Sequence, residues 1–236
     1  MTSLVQQYAT QIGWSVARTN VIVEGTSDVA LFGHAAALHA QSYGTAILDI
    51  DFAIIAAGYG DDGGVDGVNR GLIAMRQVAD ADRDTSGALR YGFVGLFDND
   101  LAGRTAFNLA WQIDRRVERY KDIFLLQPVM PTIGNGLSDR LLETTRVNLP
   151  YSGMDWEIED LCSERLLARF ESENPRAVLS SVTKAERIHR EIDRAAKAEL
   201  TRLFLRAATL ADARGLLMLL KLLRGYLGVR HDFIQT

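Results

Sequence analysis

Two aspartates one residue apart, Asp98 and Asp100, sit in "FDNDLAG" (97–103), directly after the apolar run "RYGFVGL". In extended backbone, positions two apart face the same side, so both carboxylates can point to one place. A second apolar run, in "VIVEGTSD" (21–28), ends on Glu24 and is followed by Asp28. If Asp28 lies in the first turn of a helix, it stays close to the strand end. Four carboxylates gathered there lose hydration and repel one another, and cannot all stay ionised without counter-charge. Hard divalent cations supply it: Mg²⁺ or Mn²⁺ with oxygen ligands. Two such ions neutralise the four charges, and Gly25 and Gly103 leave room for tight backbone turns beside them. A calcium EF-hand loop is excluded, because its fifth and twelfth positions would be Ala102 and Leu109. Two alternatives stay open: the Asp-x-Asp of metal-dependent sugar transferases, and simple capping of the helix that follows.

The elements that must position these groups follow from periodicity. Residues 2–17 are predicted helical, with Leu4, Tyr8, Ile12 and Val16 at four-residue spacing. Strands are expected in 20–25, 46–58, 90–97 and 122–129. Helices are expected over 26–41, capped by Thr26 or Ser27, over 68–81 with Val68, Leu72, Met75 and Val78 or Ala79 on one side, and over 103–120. "MPTIGNGLSD" and "NLPYSGMDW" look like loops. Alternating strands and helices argue for an α/β core over 1–150: a parallel four-stranded sheet with helices on both faces. The remainder, 151–236, is expected to be an all-helical extension packed on that core. "TKAE" (183–186) has the capping-box pattern for a helix running to about Ala208, and Gly228 suits the end of the last helix.

The chain has 236 residues and 47% apolar side chains, enough for one sizeable core. Mean hydropathy is −0.01, and no apolar run reaches the ~20 residues of a membrane span. No signal peptide is visible, and Cys162 is the only cysteine. That excludes an intrachain disulfide and a cysteine-based zinc site; a cytoplasmic protein without membrane contact is expected. The net charge of −4 hides an asymmetry. Residues 1–164 carry 12 basic and 22 acidic side chains, whereas 165–230 carry 14 and 7. An acidic front suits cations; a basic back suits a polyanion or is an ordinary solvated helix face. His34, His39, His189 and His231 show no ligand spacing and receive no role.

"VIVEGTSD" followed by "VGLFDND" and "AGR" resembles the Toprim (topoisomerase–primase) domain, whose signature is a glutamate after one strand and Asp-x-Asp after a later one. The Ser-Asp after Glu-Gly is most similar to nucleases of the overcoming-lysogenization-defect (OLD) type and to related anti-phage effectors. The resemblance covers 20–130 well and the tail loosely. It implies a further acidic ligand in "MDWEIEDLC" (154–162), best matched by Glu159 with Glu157 and Asp160 as alternatives. It also implies a lysine, best matched by Lys197, with Lys184 and Lys221 weaker. "AAGYGDDGG" looks like the family's glycine-rich segment, with Asp61 and Asp62 as turn residues. Nucleases of this type usually carry an ATPase domain. This sequence has no Gly-x4-Gly-Lys-Ser/Thr loop, so a separate ATPase partner is implied, or none.

The activity implied is Mg²⁺- or Mn²⁺-dependent hydrolysis of nucleic-acid phosphodiester bonds. Glu24, Asp28 and Glu159 would hold one ion and Asp98 and Asp100 a second, with Lys197 offsetting charge on the transition state. Arg187, Arg190, Arg194, Arg202 and Arg206 would contact backbone phosphates with little base specificity. A homodimer is compatible with the leucine-rich stretch 216–223, although core packing explains it as well. The alternatives are a nucleotidyl- or glycosyltransferase using the same site, and a non-catalytic binding module.

Overall fold

The computed structural model describes residues 3–58, 63–134 and 136–229. Strand β1 (Thr19–Val23), β2 (Phe52–Ala56), β3 (Gly92–Phe97) and β4 (Ile123–Leu125) form one parallel sheet in the order β2-β1-β3-β4. Val21, Ile22 and Val23 are wholly buried, as β-branched residues covered on both faces should be. Helix α1 (Leu4–Gln11), α3 (Gly64–Ala81) and α4 (Leu101–Ile113) share one face; α2 (Thr26–Tyr43) covers the other. Right-handed crossovers dictate this split, because the chain leaves β1 toward one edge and returns past it toward the other. Helix α3 buries Val68, Leu72, Met75 and Ala79. It lies so close to β3 that a Cβ on Gly95 would meet Val68 Cγ1 at 3.0 Å.

Several boundaries differ from expectation. Helix α1 stops at Gln11 rather than 17. Neither Thr26 nor Ser27 caps α2; the cap position is Gly25. Helix α4 ends at Ile113 because Asp114 turns its carboxylate onto the Arg116 N–H at 3.0 Å, a local bond that competes with the helix ladder. Helix α5 (Leu137–Val147) starts inside the expected loop and lies on the surface, where it buries only Thr144.

The extension is helical but not wholly so. Helices α6 (Glu164–Glu173), α7 (Lys197–Ala207) and α8 (Arg214–Tyr226) frame an antiparallel hairpin of β5 (Val178–Lys184) and β6 (Arg187–Ile192). "TKAE" is therefore not a helix start: Lys184 pairs with Arg187 across a two-residue turn, with Ala185 at φ 48°. Val178, Val182, Thr183, Ile188 and Ile192 are β-branched and favour extended backbone. Helices α7 and α8 pack on α2. Leu216, Leu217, Leu219, Leu220 and Leu223 are all buried, which assigns the leucine-rich stretch to the core. Gly228 follows α8 at φ 67°, as a helix end requires. Among the described residues no helix is long and apolar enough to cross a membrane.

Candidate functional site

The strand order reverses between β1 and β3, so the chain departs in opposite directions from their carboxyl ends. A crevice opens at such a switch point, and Glu24 and Asp98 are the residues that follow those two strands. The Asp98 backbone N–H donates to Glu24 Oε1 at 3.2 Å. Asp28, buried in the first turn of α2, turns back to accept the Gly25 N–H at 2.9 Å. Asp100 caps α4, accepting the Gly103 N–H at 2.6 Å. Only glycine fits at 103, because a Cβ there would stand 1.9 Å from the Asp98 carbonyl oxygen.

A later segment is stitched onto this rim. Asn99 and Trp156 exchange backbone hydrogen bonds of 2.8 and 3.2 Å, and the Ile158 N–H donates to Asp98 Oδ1 at 3.0 Å. Arg104 holds both sides, bonding the Asn99 carbonyl and Asp155 Oδ1, each at 2.7 Å. Three acids follow, and they diverge. Asp160 faces away from the rim: it accepts the Glu157 N–H at 2.8 Å and meets His189 Nδ1 on β6 at 2.8 Å. Glu157 and Glu159 face Lys197, whose Nζ lies 2.9 and 3.3 Å from them. Glu159 Oε2 is buried without a hydrogen-bond partner. Of the three candidates, Glu159 is the one whose charge reaches both Asp28 and Asp98.

The electrostatics follow from this crowding. Glu24 is raised to about 7, chiefly by burial and then by Asp28 and Asp100. Asp28 is raised to about 7 by burial and by Glu159. Asp98 stands well above the carboxylate range, through burial and the charges of Asp28, Glu159 and Glu24. Burial pulls the Lys197 ammonium downward, but Glu159, Glu157 and Asp98 outweigh it and hold the ammonium charged. A cation at the first residue of a helix opposes the helix dipole, so its place on α7 is explained by the acids, not by the helix.

The structure thus brings Glu24, Asp28, Asp98, Asp100, Glu159 and Lys197 to one rim. Among the described residues no three acidic, histidine or cysteine side chains stand together closely enough to hold a metal ion. The donor set nonetheless fits a hard cation: carboxylate oxygens only, one of them buried and orphaned. Lys184 bonds the Ser152 carbonyl and Lys221 is on α8, both away from the acids. The five arginines do not share one helix. Arg190 is buried against Glu164 and Glu171, so it is not open to phosphate. Arg202 pairs with Glu199, and Arg206 with Glu173 at 3.9 Å. Arg194 is exposed before α7, and Arg187 lies over the Trp156 ring at 5.9 Å.

Sequence reasoning missed two participants. His189 ties the hairpin to the acidic segment through Asp160, and Asn99 stitches that segment to β3. The β-branched residues of 178–192 were the available sign that His189 lies on a strand. His34 packs edge-on to Phe204, and His39 Nδ1 meets the Thr45 carbonyl at 3.1 Å. Asp61, Asp62 and His231 lie outside the described residues. No protein-family model, curated protein or solved structure matches the chain.

Proposed function

We propose that the chain is a Toprim-type nuclease that hydrolyses nucleic-acid phosphodiester bonds with bound Mg²⁺ or Mn²⁺. What carries this is the convergence of buried carboxylates from distant segments on the β1/β3 crevice, balanced there by the single ammonium of Lys197. Glu24, Asp28 and Glu159 would hold one ion, and Asp98 and Asp100 another. Two bound ions would activate water and stabilise the leaving oxygen. The Asp98 N–H occupies Glu24 Oε1, which leaves Oε2 for an ion or the attacking water. Lys197 offers positive charge where the pentacovalent phosphorus would develop negative charge. We propose nucleic acid as the substrate and, following the resemblance, a separate ATPase as the partner that controls the chain as an anti-phage effector.

Glu24→Gln and Asp98→Asn, each nearly isosteric, are expected to reduce Mg²⁺- or Mn²⁺-dependent cleavage of plasmid and labelled oligonucleotide to background. Circular dichroism should stay that of the parent. Cleavage unchanged in both variants would reject the assignment. Nucleotide incorporation in place of hydrolysis would move the chain to the transferases. Calorimetry showing no uptake of either ion would leave only a binding module.

A further inference from the structure

Beside the acidic rim lies a cavity of about 560 Å³, between the segment after β4, residues 156–164 and the first half of α8. It opens at the same carboxyl edge of the sheet, one strand over from Asp98, and Trp156 and Asp160 line it. Its size is within the range of small-ligand sites. One side is apolar: Val129, Met218 and Leu222 face it, backed by the buried Leu126 and Trp156.

Its charges are arranged asymmetrically. Three carboxylates line it, and each is already engaged. Asp160 is bound to His189, Glu164 to Arg190, and Asp212 to Arg165, Ser163 and Thr209. Two guanidiniums line it as well, Arg187 and Arg214. Both are exposed, and neither is in an ion pair among the described residues; Arg187 instead lies over the Trp156 ring. Most other arginines of the extension are paired, as Arg165, Arg169, Arg190, Arg202, Arg206 and Arg224 are. The cavity therefore presents uncompensated positive charge to an anion above an apolar wall.

The walls are fixed. Asn148 clasps Val129 through its N–H at 3.0 Å and its carbonyl at 2.7 Å. Helix α8 sits so tightly on the acidic segment that a Cβ on Gly215 would lie 2.3 Å from the Leu161 carbonyl oxygen. Such a site costs little to organise when a ligand enters.

We propose that this cavity holds one nucleotide unit unstacked from a single strand: the base against Val129, Met218 and Leu222, the phosphates between Arg187, Arg214 and the acidic rim. This deepens the nuclease proposal and rests on it for the strand's path. A flat ring with an anionic tail matches an apolar wall beside two guanidiniums that no carboxylate neutralises; a duplex cannot supply it without losing a stacked base.

The test is equilibrium binding in Mg²⁺ of a short labelled single strand and its duplex, on a Glu24→Gln background so that strands stay intact. Met218→Trp, at a side chain 57% exposed, fills the apolar side without touching the core. It should weaken single-strand binding about tenfold and duplex binding far less, as occluding the seat of one nucleotide implies. Arg187→Gln and Arg214→Gln should each lower the slope of log affinity against log salt by about 0.7. Single-strand binding unchanged in all three variants overturns the proposal, as does a duplex equally weakened by Met218→Trp. Competition by free 5′-AMP, lost in Met218→Trp, supports a pocket that also admits free nucleotide. No competition, with the Met218→Trp effect intact, supports a strand-borne one. A parent chain that cuts nothing yet shows these losses removes the nuclease and keeps the pocket; a chain that cuts while the variants bind normally does the reverse.

Discussion

Lys197 is the residue on which the assembled site depends when no metal is bound. Its ammonium is the nearest counter-charge to Glu157 and Glu159 and reaches Asp98, Asp28 and Glu24 at longer range. Removing it leaves partly buried carboxylates uncompensated, and breaking such a pair from one side costs more than an exposed pair is worth. Lys197→Met is expected to destabilise the metal-free protein by about 2–3 kcal/mol, below the fully buried range of ~3–5 because the lysine side chain is 28% exposed. Urea denaturation with EDTA should show that loss, and Mn²⁺ should recover most of it. A variant as stable as the parent in EDTA would mean that the acids are already protonated and need no lysine.

At the scale of elements, the site depends on how closely β3, α4 and the acidic segment approach. The turn from β3 into α4 passes Gly103 against the Asp98 carbonyl, where a Cβ would be 1.9 Å away. The backbone must shift to admit even a methyl group, and Asp98 and Asp100 shift with it. Gly103→Ala is expected to cost a few kcal/mol in thermal or chemical denaturation. It should also weaken Mn²⁺ binding, read by calorimetry, although it removes no ligand. Unchanged ion affinity in a folded Gly103→Ala would show that the turn does not set the spacing of the carboxylates. The hairpin acts on the same segment from the far side, through the contact of Asp160 with His189.

For the whole molecule, the buried acids set how stability depends on pH. Glu24 rises from 4.5 and Asp28 from 3.8 to about 7, so the folded state holds their protons more tightly than the unfolded chain. Their contribution is complete below about pH 4 and is lost as pH rises through 7. Asp212 has the opposite sign: hydrogen bonds from Arg165, Ser163 and Thr209 overcome its burial and hold it below its usual 3.8. Its contribution is present above 3.8 and lost on acidification. The metal-free protein should therefore be most stable near pH 4–5 and weaken toward neutrality. Mn²⁺, which favours ionised carboxylates, should move the maximum toward neutral pH. Denaturation midpoints across this range, with and without metal, check both trends. A metal-free curve still rising between pH 5 and 7 would contradict the raised acids.

The sequence alone determined the parallel core, because continuous apolar runs alternating with amphipathic helices have few other ways to bury themselves. It also determined where Glu24, Asp98 and Asp100 fall, since the first two directly follow recognisable strands, Asp100 is two residues on, and strand ends are local features. Tertiary structure decided the rest. Whether Glu157, Glu159 or Asp160 faces the rim depends on a short 3₁₀ turn held by Asn99, Asp98 and His189, contacts that span from 29 to 60 residues of chain. Lys197 reaches the acids, and Arg190 is withdrawn from solvent, only because a hairpin replaces the expected helix. Local periodicity cannot encode such pairings, because their free energy comes from groups far apart in sequence that meet only after the chain has folded.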